Sequence, residues 1–248
     1  LLLPVVFFSA SFIVPHDVLM EQVQIQDVAA NSPAEVGGME TGDTILMVNG
    51  NEIENRGELG YYIMLGLGTD TDILLQKEDL SQTTVTVVPR WDPPEGQGAV
   101  GIMVAGVDSQ IVQRSYSLWE GSKLGIQQCW ETLMLFRNVI RSWIIGASSM
   151  QVAGPVGIAQ IAGDAARAGI SSLMALTALV SLNLAIINLL PFPALDGGRM
   201  VFLVVELLRR GKRISTKVEQ QVNFIGFATL IFIMCVVTYF DIIRVIQG

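Results

Sequence analysis

The chain has 248 residues, 51% of them hydrophobic, and a mean hydropathy of +0.51, which is high for a soluble globular domain and calls for membrane-spanning segments beside a polar one. The formal net charge is −8, and between Asp17 and Asp108 sixteen acidic residues face only Arg56, Lys77 and Arg90, a local balance of −13. That segment lacks the basic footprint nucleic acid requires, so nucleic acid is excluded as a partner. Cys129 and Cys235 have neither metal-ligand nor disulfide spacing and read as small buried hydrophobes.

Residues 1–15 open inside an apolar run. Fourteen such residues fall short of the roughly 20 that span a bilayer. They are expected to be the end of a truncated transmembrane helix, with a buried core strand as the alternative. No basic n-region or small-residue cleavage site marks a signal peptide.

Residues 18–97 change character, with short alternating runs between turn signals. Val23-Gln24-Ile25-Gln26 has the period of a half-buried strand. Ser32-Pro33-Ala34-Glu35 is a helix start, with a capping serine and proline at the first helical position, and Gly37-Gly38 stops it. Residues 44–48 predict a strand, and Asn49-Gly50 a hairpin turn before Ile53. Residues 57–67 predict a second helix, and 72–76 and 83–88 two further strands. The Pro/Gly-rich 91–97 marks the exit from this domain.

Residues 98–170 read as linker, amphipathic helix and re-entrant segment. Residues 98–107 predict a short strand and 108–117 connecting chain. Residues 118–145 place Trp119, Ile126, Trp130, Leu133, Phe136, Ile140 and Ile144 near helical spacing, with Lys123, Glu131, Arg137 and Arg141 between them. Two readings stand for this helix: it lies at the membrane interface, or it packs on the preceding domain. Residues 152–166 are rich in small residues, which allow close backbone approach within membrane bundles. Gly154-Pro155 begins a re-entrant or surface-lying segment there, or a short soluble helix.

Residues 171–248 hold two predicted spans, 171–190 and 222–240, around a basic loop at 199–217. Lys and Arg in a short loop mark the cytoplasmic side, whereas long acidic domains cross regardless of charge. The loop is therefore read as inside, and the acidic domain and C-terminus as outside. Asn183 and Asn188 lie within the first span, about 140° apart on a regular helix. Polar groups at membrane depth are costly and face a protein interior or a site. The span breaks at Pro191 and Pro193, and irregular backbone at that depth is tolerated only where it is buried or lines a cavity. Asp196, just past the break, is thus a candidate site carboxylate; the alternative is a helix end, with Asp-Gly-Gly as turn chemistry.

Asn188, Pro191, Pro193, Leu195, Asp196 and Gly197 form N-x-x-P-x-P-x-L-D-G, which resembles the signature of the site-two protease family of intramembrane zinc metalloproteases. Within that family the resemblance is to the bacterial regulator-of-sigma-E-protease type, with its PDZ domain. Gly154, Pro155 and Ile158 extend the match as G-P-x-x-I. The order S-P-A…G…G-D-x-I-x-x-V-N-G over residues 28–53 resembles a PDZ domain of the circularly permuted bacterial type. The fold class this implies is a multi-pass α-helical membrane protein with an inserted α+β PDZ-like domain.

By that resemblance Asp196 is a Zn2+ ligand, completing a site with the two histidines of an H-E-x-x-H helix whose glutamate is the general base. The chain contains no H-E-x-x-H, and its one histidine, His16, lies on the outer side of the bilayer whereas Asp196 lies near the inner. Two further ligands are therefore expected from a missing N-terminal segment, and these residues alone are expected to be inactive. Asn183 and Asn188 would support the active site, and Pro191, Pro193, Gly197, Gly154 and Pro155 would shape the backbone. The implied setting is the bacterial inner membrane, in contact with lipid, and the implied substrates are single-span transmembrane proteins. The PDZ-like domain would gate them or bind a peptide or protein C-terminus, its groove flanked by the strand near 23–28 and the helix at 57–67. The competing readings are an inactive membrane-anchored peptide-binding module and, less well matched, a transporter with a broken-helix solute site.

Overall fold

The computed structural model describes residues 2–147, 154–208 and 215–247. They divide into two compact units: residues 15–115 with 130–150, and residues 1–14 with 116–129 and 151–248.

The first unit is built on an antiparallel sheet. Strands β1 (His16–Val28), β2 (Thr44–Val48), β4 (Thr71–Gln76), β5 (Gln82–Val87) and β6 (Ile102–Arg114) lie in the order β5-β4-β2-β1-β6, with the short β3 (Asn51–Glu52) paired to β2. Helices α2 (Pro33–Gly37) and α3 (Arg56–Leu65) belong to the same unit. Local chemistry sets the boundaries. Ser32 accepts a hydrogen bond from the Glu35 N–H, Pro33 opens α2, and Gly38 closes it at φ +79°. Asn49 and Gly50, at φ +49° and +80°, make the turn into β3. Alternating side chains of the strands and one stripe of α3 fill the core, with Val23, Ile25, Ile45, Val48, Leu59, Ile73 and Leu75 fully or nearly fully buried.

Sequence and structure differ most at β6. The stretch expected as connecting chain after residue 107 continues as strand to Arg114, paired with β1 as far as His16. Its alternation is interrupted where Asp108, at φ +54°, and Ser109 bulge opposite Glu21, between the pairs Met20–Gln110 and Gln22–Val107.

Helix α4 (Leu118–Ile144) contributes its first part to one unit and the part from Trp130 onward to the other. In the sheet-containing unit Asn138, 3% exposed, donates to the carbonyls of Met64 (3.0 Å) and Leu65 (3.1 Å) at the end of α3. Tyr61 donates to Glu131, and the Arg141 guanidinium stands 5.2 Å from the Trp91 ring centre. Packing on the domain is thus realised for this part of α4.

The second unit is helical. Helix α1 (Leu2–Ile13) is apolar, so the strand alternative for this segment is not realised; it packs on α6 (Ile170–Leu189), where Ser171 donates to the Ser11 carbonyl at 2.7 Å. Helix α5 (Pro155–Ala168) follows Gly154, α7 (Asp196–Leu208) follows the proline break, and α8 (Thr216–Gln247) ends the unit. Among the described residues two helices are long and apolar enough to cross a membrane, Ile170–Leu189 and Thr216–Ile243, each with a mean hydropathy of 2.1. They leave side chains such as Leu184, Phe224, Ile225 and Phe232 exposed, as lipid-facing surfaces do.

Part of the expected basic loop is helix. Residues from Arg199 to Leu208 belong to α7, because Met200, Phe202, Leu203 and Val204 give the segment helical amphipathicity that its flanking arginines obscure. The cluster Arg209, Arg210, Lys212 and Arg213, on which the orientation rests, lies outside the described residues, as does Val152.

Candidate functional site

Asp196 stands at the N-terminus of α7, where an acidic residue is favoured in the first turn. The connection from α6 is tight. Leu190 leaves the helix in an extended conformation, the Phe192 N–H donates to Leu190 O (2.7 Å), and Leu195 N–H donates to Phe192 O (3.2 Å). Between them Ala194 adopts φ +74°, a left-handed conformation uncommon for a residue with a side chain.

The two glycines after Asp196 are required by packing. Both are buried. A Cβ on Gly197 would lie 2.6 Å from the Leu189 carbonyl oxygen and closer still to that of Leu190, and one on Gly198 would meet the Phe192 carbonyl. Since these neighbours are backbone atoms, they cannot move aside as a side-chain tip can. Gly197-Gly198 therefore lets the first turn of α7 sit directly on the end of α6, which fixes where Asp196 emerges.

Helix α8 closes the other side. The Ala194 N–H donates to Asn223 Oδ1 at 3.2 Å, and Gly226 lies against Pro193, where a Cβ would approach the Pro193 Cβ to 2.6 Å. Leu195, Asp196 and Arg199 face Asn223, Phe224 and Phe227 across a cavity of about 410 Å³. Asp196 itself is exposed, as is Arg199.

The other sequence-singled residues are only partly gathered here. Pro191 and Pro193 belong to the connection that leads to Asp196, and Gly197 to the first turn of α7 that follows it. Asn183 and Asn188 are half-buried on α6 and do not line the Asp196 cavity. Gly154 and Pro155 lie elsewhere, at the start of α5. There the Gly157 N–H donates to Asp241 Oδ2 at 3.0 Å, and a Cβ on Gly154 would come within 2.6 Å of the same oxygen. Asp241, 4% exposed, thus caps α5 from α8, supplying the side chain that Gly154 lacks. It is 18 residues beyond Asn223, about 27 Å along a helix. Sequence reading passed over Asn223, Gly226 and Asp241; an asparagine and an aspartate in a helix of membrane-spanning length and hydropathy were the available signals.

Among the described residues no group of three or more His, Cys, Asp or Glu side chains could hold a metal ion. A single aspartate supplies a suitable oxygen donor for zinc, but it does not make a site without further ligands.

The sheet-containing unit corrects the expected groove. Strand β1 is hydrogen-bonded to β2 on one side and to β6 on the other, so the strand near 23–28 has no edge to offer. The edge strands are β5 and β6; of the two, β6 is the one that α3 packs beside, and it is preceded by Gly101 at φ +84°. Glu21 of β1, 7% exposed, accepts from the Arg56 backbone N–H (3.0 Å) and guanidinium (2.9 Å), and Ser109 of β6 donates to it. The Arg56 backbone and guanidinium contacts hold the Glu21 carboxyl below the ordinary carboxylate range.

A domain built on an antiparallel sheet thus accompanies helices long and apolar enough to cross a membrane, one of them ending at a Pro-x-Pro before an aspartate. The model of peptidase family M50 matches residues 1–233, and the chain belongs to that family, the site-two proteases. It is 34% identical over 215 residues to the zinc metalloprotease RasP of Shouchella clausii, covering 86% of this chain and 49% of that protein. With RasP of Geobacillus kaustophilus the identity is 34% over 226 residues, covering 88% and 50%. The chain spans between 49% and 64% of the length of such curated relatives. Among solved structures, the PDZ domain of the SdrC-like protein of Listeria monocytogenes matches at 21% identity and a TM-score of 0.30, covering 34% of this chain and 88% of that one.

Proposed function

We propose that the chain is the C-terminal part of an intramembrane zinc metalloendopeptidase that cleaves single-span membrane proteins, with Asp196 as one zinc ligand. The observation that carries this reading is the position of Asp196: it emerges beside a cavity, from a loop locked between the ends of a membrane-length helix, two glycines and α8. The remaining ligands and the general base come from outside these 248 residues, whose one histidine is His16. Zinc, when bound, supplies Lewis acidity for amide hydrolysis.

The chain's own residues position and bind. Pro191 and Pro193 keep the loop from continuing α6, so that the carboxylate turns away from the helix axis. Asn183 and Asn188 are the active-site supports, their amides offering hydrogen bonds to an unwound substrate segment. The domain carrying β6 receives an extended peptide or a protein C-terminus at that edge, or screens substrates sterically. The setting is the bacterial inner membrane, with this domain and the C-terminus extracytoplasmic.

A second reading is an inactive membrane-anchored peptide-binding module, which the β6 edge would serve without any metal site. Zinc content and cleavage of a single-span substrate by the full-length protein, beside its Asp196→Asn variant, separate the two. Zinc near one per chain, with cleavage lost on substitution, supports the protease. Full-length protein that holds no stoichiometric zinc and cleaves nothing moves the assignment to the module.

A further inference from the structure

The loop that presents Asp196 is held on one side by Gly197-Gly198 and on the other by α8. We infer that Asn223 and Gly226, the N-x-x-G of α8, are positioning residues for Asp196; this rests on Asp196 serving the site proposed above.

Three observations converge. Asn223 and Gly226 are three residues apart and so share a face of α8. Each meets the loop at a consecutive residue: Gly226 leaves room for Pro193, with the Pro193 carbonyl carbon 2.7 Å from where a Cβ would stand, and Asn223 accepts the next N–H, that of Ala194. Finally, Ala194 is the loop residue whose backbone is least comfortable, at φ +74°. Such conformations persist only where the surroundings over-determine them. The Asn223 acceptor and the close approach at Gly226 are that determination.

Removing either contact releases a loop that otherwise returns to ordinary backbone angles, and Asp196 lies two residues beyond Ala194. A ligand displaced by about 1 Å costs on the order of 100-fold in rate. Asn223 touches neither metal nor substrate in this assignment; it acts through the loop.

The experiment uses the full-length protein in detergent micelles or nanodiscs, with Asn223→Leu, Asn223→Asp and Gly226→Ala, and Asn223→Leu combined with Ala194→Gly. The first readout is hydrogen exchange at residues 192–196, which does not depend on the metal or on cleavage. Loss of one net hydrogen bond is expected to speed exchange there about tenfold in Asn223→Leu. The second is cleavage: kcat falls at least tenfold with KM little changed, because the transmembrane substrate's binding surface is untouched. Asn223→Asp keeps an acceptor oxygen and is expected to recover most of both. Ala194→Gly, which tolerates positive φ, is expected to recover part of the rate in the double variant.

Unchanged exchange and kcat in Asn223→Leu would overturn the inference, and so would a well-folded Asn223→Asp that is as impaired as Asn223→Leu. If Asp196→Asn retains zinc and cleavage, the underlying site assignment fails instead, and the exchange result still reports whether α8 holds the loop.

Discussion

Replacing Gly197 by alanine sets two effects of opposite sign against each other. Gly197 lies in the first turn of α7, where alanine is favoured over glycine by about 0.5–1 kcal/mol through backbone entropy. Against this, the new Cβ would stand 2.6 Å from the Leu189 carbonyl oxygen and closer to that of Leu190, whereas ordinary contact begins near 3.4 Å, so the first turn must retreat by more than about 0.8 Å. Forcing such an overlap into packed backbone costs roughly 1–3 kcal/mol. The steric effect wins, leaving a net destabilisation of about 1–2 kcal/mol, and it displaces Asp196 enough to lower cleavage by on the order of 100-fold. Gly163 in α5 is the control, because a Cβ there meets nothing within 4 Å; Gly163→Ala is expected to stabilise by about 0.5–1 kcal/mol and to leave cleavage unchanged. Equilibrium unfolding in mixed micelles and single-turnover cleavage by the full-length protein measure both. Gly197→Ala that stabilises as Gly163→Ala does, with cleavage intact, would show that the glycine pair is turn chemistry without a positioning role.

Three further outcomes follow from other contacts. Asn138→Leu removes both donors to the Met64 and Leu65 carbonyls, leaving two helix-end acceptors unpaired; a loss of about 2–3 kcal/mol should raise hydrogen exchange in the 130–144 segment at least 30-fold, and unchanged exchange would mean that α4 is held by other contacts. Glu21, with its carboxyl pKa lowered below 4.5 by Arg56, contributes stability that is complete above that pH and is lost as pH falls through its folded value. Acid-induced exchange at the Arg56 amide should therefore appear below pH 4.5 in the native protein and vanish as a pH-dependent step in Glu21→Gln; identical profiles would remove Glu21 as the titrating group. Asp241→Ala takes away the carboxylate that accepts from Gly157, and a charge-assisted bond of about 1.5–3 kcal/mol corresponds to roughly 10- to 100-fold faster exchange at the start of α5. Protection unchanged there would show that α5 is anchored elsewhere.

What could be read from the sequence follows the range of the interactions involved. The Ser32-Pro33 cap, the Gly38 stop and the Asn49-Gly50 turn are decided by neighbours a few residues away, so residues 32–53 were legible almost residue by residue. The apolar runs of α6 and α8 needed only length and composition. Strand β6 beyond Val107 was not legible, because Asp108, Ser109 and Gln110 carry loop chemistry and are made strand by β1, some ninety residues earlier in the chain. For the same reason the strand near 23–28 is expected to flank the groove, although the order of pairing leaves β1 central, between β2 and β6. At the candidate site Asp196 and its prolines were visible through their motif and through the cost of breaking a membrane helix. Asn223 and Gly226 were not, since an asparagine near the start of an apolar helix shows its purpose only once the loop beside it is in place.

The central claim, that Asp196 is a zinc ligand, is tested most directly at the metal itself. X-ray absorption at the zinc edge would be compared for the purified full-length protein and its Asp196→Cys variant. If Asp196 binds the metal, the native protein shows zinc with only nitrogen and oxygen neighbours near 2.0–2.2 Å, and the variant gains one sulfur neighbour at about 2.3 Å or loses its zinc. Full zinc occupancy in Asp196→Cys with no sulfur neighbour would contradict the account, leaving Asp196 as the first residue of α7 and no more.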